Sequence, residues 1–120
     1  KHRQEKVAHE IMRMLSMALI EDVKDPRVLD VTLTDVRVSA DLSIASVRYL
    51  CPKDVDRNEV AIGLEKVRPY LRSLIGDRLE LRRVPNINFY YDDAYEKGAE
   101  MSQLLARLRA EGQMGSDDDR

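Results

Sequence analysis

Tryptophan is absent from this chain, and phenylalanine and cysteine occur once each, as Phe89 and Cys51. A single cysteine excludes an intramolecular disulfide and a cysteine-rich zinc site, and it makes a reducing cytoplasm the expected location. Cys51 follows Val47 and Tyr49 at strand spacing, so it reads as a buried structural thiol. No window approaches the roughly 20 consecutive apolar residues that span a membrane. The basic start, apolar run and small-residue cleavage site of a secretory leader are missing too. So are a glycine-rich phosphate loop, a helical zinc motif and a nucleophile-elbow serine. His2 and His9 share a helix face, but no third ligand is spaced to join them, and they read as surface histidines. Asp92 and Asp93 admit an acid/base reading; as neighbours at a strand-to-helix junction they read better as helix caps. No metal, cofactor or catalytic residue is expected, and the weaker reading of a small hydrolase rests on that aspartate pair alone.

What is present is charge. The 120 residues are 43% hydrophobic and 35% charged, with a net charge of −2, which fits one soluble domain with a modest core. The balance is uneven along the chain. From Lys66 to Arg83 six basic residues (Lys66, Arg68, Arg72, Arg78, Arg82, Arg83) oppose two acidic ones. From Asp92 onward eight acidic residues oppose four basic ones. Charge alone leaves two readings of the basic block, a localised contact with a polyanion or a solvated helix face. Arginine's planar fork of donors suits phosphate oxygens, which favours the first. Arg3, Lys6 and Arg13 on the first helix, with Lys24 and Arg27 in the loop after it, form a secondary basic set. Aromatics are few, and by parity Phe89 and Tyr91 face the core, leaving Tyr90 as the better stacking candidate. Contact with the backbone and shape of structured RNA is therefore expected over base reading.

Four prolines punctuate the chain. Val7, Ile11, Met14 and Ala18 recur at helical spacing, with Leu15 and Val23 as further candidates for the same stripe, until Pro26 stops the helix in "VKDPRV". "VTLTDVRVS" and "SIASVRYLC" alternate as two strands of a hairpin, the first changing parity near Thr34 as a bulge would, and Pro52 ends the second. A helix capped by Asp54 or Asp56 follows, with Val60, Leu64 and Val67 apolar. Across Pro69 the series continues in phase as Leu71, Leu74 and Ile75. The spacing predicts two helices meeting at a kink around Val67, Arg68 and Pro69, the second closed by Gly76 as a left-handed cap. "RLELRRVPNINFYYD" reads as a third strand, interrupted at Pro85 or lying at an edge. A last helix places Leu104, Leu105 and Leu108 on an apolar side. Residues 1–111 then form one α+β domain with a small, mostly antiparallel sheet, and residues 112–120 a disordered acidic tail.

With "KDPR" (Lys24–Arg27), "LRSLIG" (Leu71–Gly76), "LELRRVPNINFYYD" (Leu79–Asp92) and "KGAEMSQLL" (Lys97–Leu105) in this order, the chain resembles the bacterial ribosome-binding factor A family. The resemblance runs from about Arg3 to Leu108. It implies a type II KH-like domain, α-β-β-α-kink-α-β with an additional C-terminal helix, its helices packed on one side of the sheet. It further implies a monomeric, non-enzymatic, cofactor-free assembly factor. Such a factor binds the free small (30S) ribosomal subunit, promotes maturation of 16S rRNA near its 5′ end, and matters most in the cold. Ordinary KH domains hold nucleic acid with a Gly-x-x-G loop, which is absent here. The family's Ala-x-Gly kink aligns with Val67, Arg68 and Pro69, so Arg68 is expected in mid-kink, exposed and positively charged. The remaining alternative is an α+β protein-interaction or dimerisation module that binds no RNA.

Overall fold

In the computed structural model the backbone is described for residues 2–119 and the side chains for residues 3–112. Helix α1 (His2–Glu21) is followed by a 3-10 turn (Pro26–Val28) and by strands β1 (Thr32–Val38) and β2 (Ile44–Leu50). Helix α2 (Arg57–Arg78), strand β3 (Asn86–Tyr91) and helix α3 (Asp93–Asp119) complete the order. The sheet runs β1-β2-β3. The tail expected over residues 112–120 lies almost wholly outside the described side chains.

One face of the sheet is buried. Ala45, Val47 and Tyr49 of β2 and Ile87 of β3 point there, meeting Ile11, Leu15 and Ala18 of α1 and Val60, Leu64, Leu71 and Ile75 of α2. Complete burial of so many aliphatic side chains supplies the main folding drive, about 1.5–3 kcal/mol for each. The hairpin pairs antiparallel, and its register shifts between Leu33 and Asp35, the bulge that the change of parity predicts. Its tip holds Leu42 at φ 61, the only positive φ among the described non-glycine residues.

Several expectations are corrected. The sheet is mixed, because β3 pairs parallel with β2 over Ile44↔Asn86 to Tyr49↔Tyr91. A helix carries the chain back between those strands, and such a crossover returns it in the same direction. The expected two helices are one element, α2, with Pro69 inside it. Pro69 withholds one amide, yet the unbroken stripe on either side keeps its neighbours packed. Gly76 is no left-handed cap, since no described glycine has a positive φ. The helix runs on to Arg78, and Leu79, in an extended conformation, closes it by donating its N–H to the Ile75 carbonyl at 2.9 Å. What Gly76 allows is close approach: a Cβ there would stand 3.0 Å from Val84 Cγ2.

The strand expected from Leu79 starts only at Asn86, after the buried Pro85, which cannot donate to a ladder. The apolar side of α3 is not packed either: Leu104, Leu105 and Leu108 are 42–52% exposed. Only the base of α3 is tied down. Asp92 Oδ1 accepts the Tyr95 amide at 3.0 Å, Glu96 accepts from Arg57 and Tyr91, and Glu100 pairs with Lys53 at 2.6 Å.

The link between α1 and β1 is braced by a local ion pair. Asp25 takes the extended conformation that a following proline imposes, accepts the Arg27 amide, and holds the Arg27 guanidinium through two bonds of 2.9 and 2.6 Å. Gly63 of α2 seats this turn, for a Cβ there would come within 2.9 Å of Val28 Cγ1 and 3.0 Å of Arg27 Cβ. Gly63→Leu should therefore lower stability by about 1–3 kcal/mol in urea melts, despite the better helix propensity of leucine. The hydrogen bonds from Arg27 hold the Asp25 carboxyl at about 2, below its ordinary 3.8. Its stabilising contribution is complete above the ordinary value and is lost as the pH falls towards 2. Asp25→Asn should flatten the loss of stability over that acid range in thermal melts.

Candidate nucleic-acid interface

The basic residues of the two sets divide into two groups by what their side chains touch. Arg72 is half-buried: its Nε donates to the Pro85 carbonyl at 3.1 Å and its terminal nitrogen to the Val84 carbonyl at 3.0 Å. It ties α2 to the segment entering β3. Arg68 pairs with Glu65 and lies 5.8 Å from the Phe89 ring centre, so it is folded against the body and not displayed at mid-kink as expected. Its Nε is buried without a hydrogen-bond partner. Arg27 is held by Asp25. In all three the guanidinium serves internal contacts.

The second group faces water. Lys66, Arg78, Arg82, Arg83, Arg3, Lys6, Arg13 and Lys24 are exposed. Among the described residues none of them forms an ion pair. Folding brings sequence-distant members together. A cleft of about 210 Å³ is lined by Arg3, Lys6, Val7 and Glu10 of α1 and by Leu79, Glu80 and Leu81 after α2. Arg78, Arg82 and Arg83 flank that same short connection without lining the cleft, so chain continuity carries the second set to the end of the helical layer where Arg3 and Lys6 lie. A second groove of about 290 Å³ joins Lys24 and Lys66 beside Val67 and Tyr70, with Asp22 and Asp25 also in its wall. Each wall holds two basic and two acidic residues, and Arg78, Arg82 and Arg83 beside the connection give the first end its basic excess. Both ends follow from the antiparallel course of α1 and this half of α2, fixed at one point by Tyr70 donating to Asp22 at 2.7 Å.

Arg13 stands apart from both grooves, as does the pair of exposed sheet residues Arg48 and Tyr90, whose guanidinium carbon lies 5.7 Å from the ring centre. Tyr90 is 45% exposed, as its parity predicts. Sequence reasoning missed Arg48 and Arg57. The latter stacks 3.5 Å from the Tyr91 ring centre and pairs with Glu96 and Asp93. Parity places Arg48 on the outer face, but only the parallel pairing of β3 puts it beside Tyr90.

Chemistry elsewhere is sparse. Asp92 is 7% exposed and accepts from Thr34 Oγ1 at 2.5 Å as well as from the Tyr95 amide; these bonds lower its pKa. Asp93 pairs with Arg57 on the surface. The two carboxylates thus serve separate structural contacts, as caps and pair partners. Burial pushes the Cys51 thiol pKa up, which disfavours the reactive thiolate. Among the described residues no group of His, Cys, Asp and Glu is placed to hold a metal, and no helix is long and apolar enough to cross a membrane.

The division between clamped and free arginines is measurable. Arg72→Ala leaves two half-buried carbonyls without donors and should cost about 1–3 kcal/mol in denaturant melts. Arg82→Ala with Arg83→Ala should stay within about 0.5 kcal/mol of the parent.

The family model described as "Ribosome-binding factor A" matches residues 3–105. The ribosome-binding factor A of Streptococcus mutans is 39% identical over 109 residues, covering 89% of this chain and 94% of that protein. The crystal structure of ribosome-binding factor A from Thermus thermophilus superposes with a TM-score of 0.66 at 23% identity, over 73% of this chain and 93% of the other. A homology model of the Thermus thermophilus factor, fitted into the cryo-EM map of a complex with the 30S subunit, gives a TM-score of 0.57 at 25% identity. It covers 69% of this chain and 88% of the other.

Proposed function

The chain belongs to the ribosome-binding factor A family, whose members are binding factors and not enzymes, and from that premise we propose that it is a ribosome assembly factor. In this reading it binds the free small subunit as a monomer in the cytoplasm and promotes maturation of 16S rRNA near its 5′ end. Residues 1–111 are the binding domain and 112–120 an acidic tail, and the factor serves growth in the cold. Support for the partner comes from the Thermus relative fitted into a 30S complex.

One observation carries the residue-level reading: Arg3 and Lys6 share a cleft with the connection that Arg78, Arg82 and Arg83 flank, all exposed and free of ion pairs among the described residues. Such a cluster can neutralise several phosphates without reading bases, and guanidinium and ammonium heads in water lose little on meeting them. Lys66 and Lys24 extend the basic surface along the other end of α1. Arg68 and Arg72 support it from within, the latter by holding the connection in place. A second reading, a protein-interaction module, draws on the exposed leucines of α3. The two differ in their response to salt.

Cosedimentation with purified small subunits, scored against large subunits, tests the proposal. Binding should fall steeply with salt, and each phosphate contact removed should flatten the log–log slope by about one unit. Arg78→Glu with Arg82→Glu and Arg83→Glu should weaken binding at least tenfold while the melting temperature holds. Unchanged affinity and slope in that variant would move the interface elsewhere.

A further inference from the structure

Another cleft among the described residues lies on the other side of α1, away from the basic connection. It encloses about 550 Å³ between the first half of α1 and the outer edge of β1. Four consecutive residues of β1, Asp35 to Val38, line it. Side chains alternate between the two faces of a strand, so a cleft touched by all four runs along the strand's edge and not over one face. β1 is an edge strand, with β2 its only neighbour.

The register says what that edge offers. Ser39 donates to the Ile44 carbonyl, which makes Ser39↔Ile44 a hydrogen-bonded pair of the hairpin. Counting back, Arg37↔Ser46 and Asp35↔Arg48 are hydrogen-bonded pairs, and Val38↔Ala45 and Val36↔Val47 are not. Val36 and Val38 therefore direct their amides and carbonyls outward, towards the cleft. One of these groups already has a substitute partner: the Gln4 carboxamide donates to the Val38 carbonyl at 2.5 Å. A primary amide reaching an edge carbonyl stands where the N–H of a neighbouring strand would stand. The floor carries apolar surface from Ala8 and Met12. Glu5 and His9, both exposed, also line the cleft; Glu5 has no ion-pair partner among the described residues, whereas Asp35 pairs at 3.0 Å with the exposed Arg37 and offsets its charge.

We propose that this cleft is a docking site for an extended segment of a partner protein, which adds to β1 as a fourth strand. The segment pairs its backbone with Val36 and Val38 and displaces Gln4. Its side chains alternate between aliphatic, against Ala8 and Met12, and basic, beside Glu5. Outward main-chain groups specify a polypeptide backbone, since RNA has no complementary row of amides. The bulge between Leu33 and Asp35 breaks the edge on one side, limiting the pairing to about four residues. This site is independent of the basic surface proposed for RNA, and it stands or falls apart from that reading.

The test is an NMR titration of the full 15N-labelled chain with a capped hexapeptide of alternating lysine and valine. Shifts and slowed exchange should centre on the Val36 and Val38 amides and extend to Ala8 and Met12. Of two versions N-methylated at alternate residues, one should bind and the other should not. Glu5→Lys, an exposed substitution, should weaken binding about threefold with the native spectrum preserved. The proposal is overturned if millimolar peptide leaves those amides unmoved, or if both N-methylated versions bind alike. It is also overturned if the same amides shift with protein concentration alone, which would make a second copy of the chain the occupant. Shifts reproduced by hexauridylate would overturn it too, because the cleft would then not select a polypeptide backbone.

Discussion

The apolar stripe of α2 is the constraint on which the rest of the architecture hangs. Val60, Leu64, Leu71 and Ile75 are each at most 1% exposed, and they lie on both sides of Pro69 without losing phase. A proline inside a helix costs about 3 kcal/mol or more, so a helix that tolerates one needs burial to offset it. The stripe lays α2 across the sheet from the end of β2 to the start of β3. That path forces β3 to run parallel to β2 and leaves β1 and β3 as the two edges.

The crossover also sorts the arginines. Where α2 passes the segment before β3, Arg72 reaches the Val84 and Pro85 carbonyls, which precede the first strand residue Asn86. Where α2 crosses β3, Arg68 lies over Phe89 and is neutralised by Glu65. At the end of the helix and just past it, Arg78, Arg82 and Arg83 stand exposed, without an ion-pair partner among the described residues. A guanidinium enclosed by carbonyls stabilises the domain, and one in solvent is available to a polyanion. Both kinds occur within one short run of sequence.

Much of this was legible beforehand. The hairpin with its bulge, the core parity of Ile87, Phe89 and Tyr91, the buried Cys51 and the end of the first helix ahead of Pro26 all rest on local pattern, and local pattern suffices where the alternative would bury polar backbone or expose a row of aliphatics. The misreadings share a different cause. Gly76 resembles a cap because a glycine near a helix end usually is one, but what it accommodates is the close approach of Val84, eight residues on. Leu79 and Leu81 looked like strand because their parity matched Ile87, and parity cannot report that Pro85 denies them a ladder. The leucines of α3 have helical spacing, which shows a stripe but not what covers it.

By itself the sequence determined the α+β class, the hairpin, and which basic residue types the chain carries, because periodicity and turn chemistry act over a few residues. The family, too, is carried by ordered local motifs. Only the tertiary structure decided which arginines are free, since that depends on carbonyls, carboxylates and rings far along the chain. It alone joined Arg3 and Lys6 to the connection after α2, and it alone opened a cleft along β1. Pairing partners and clefts are properties of surfaces brought together, and no window of the sequence contains both sides of one.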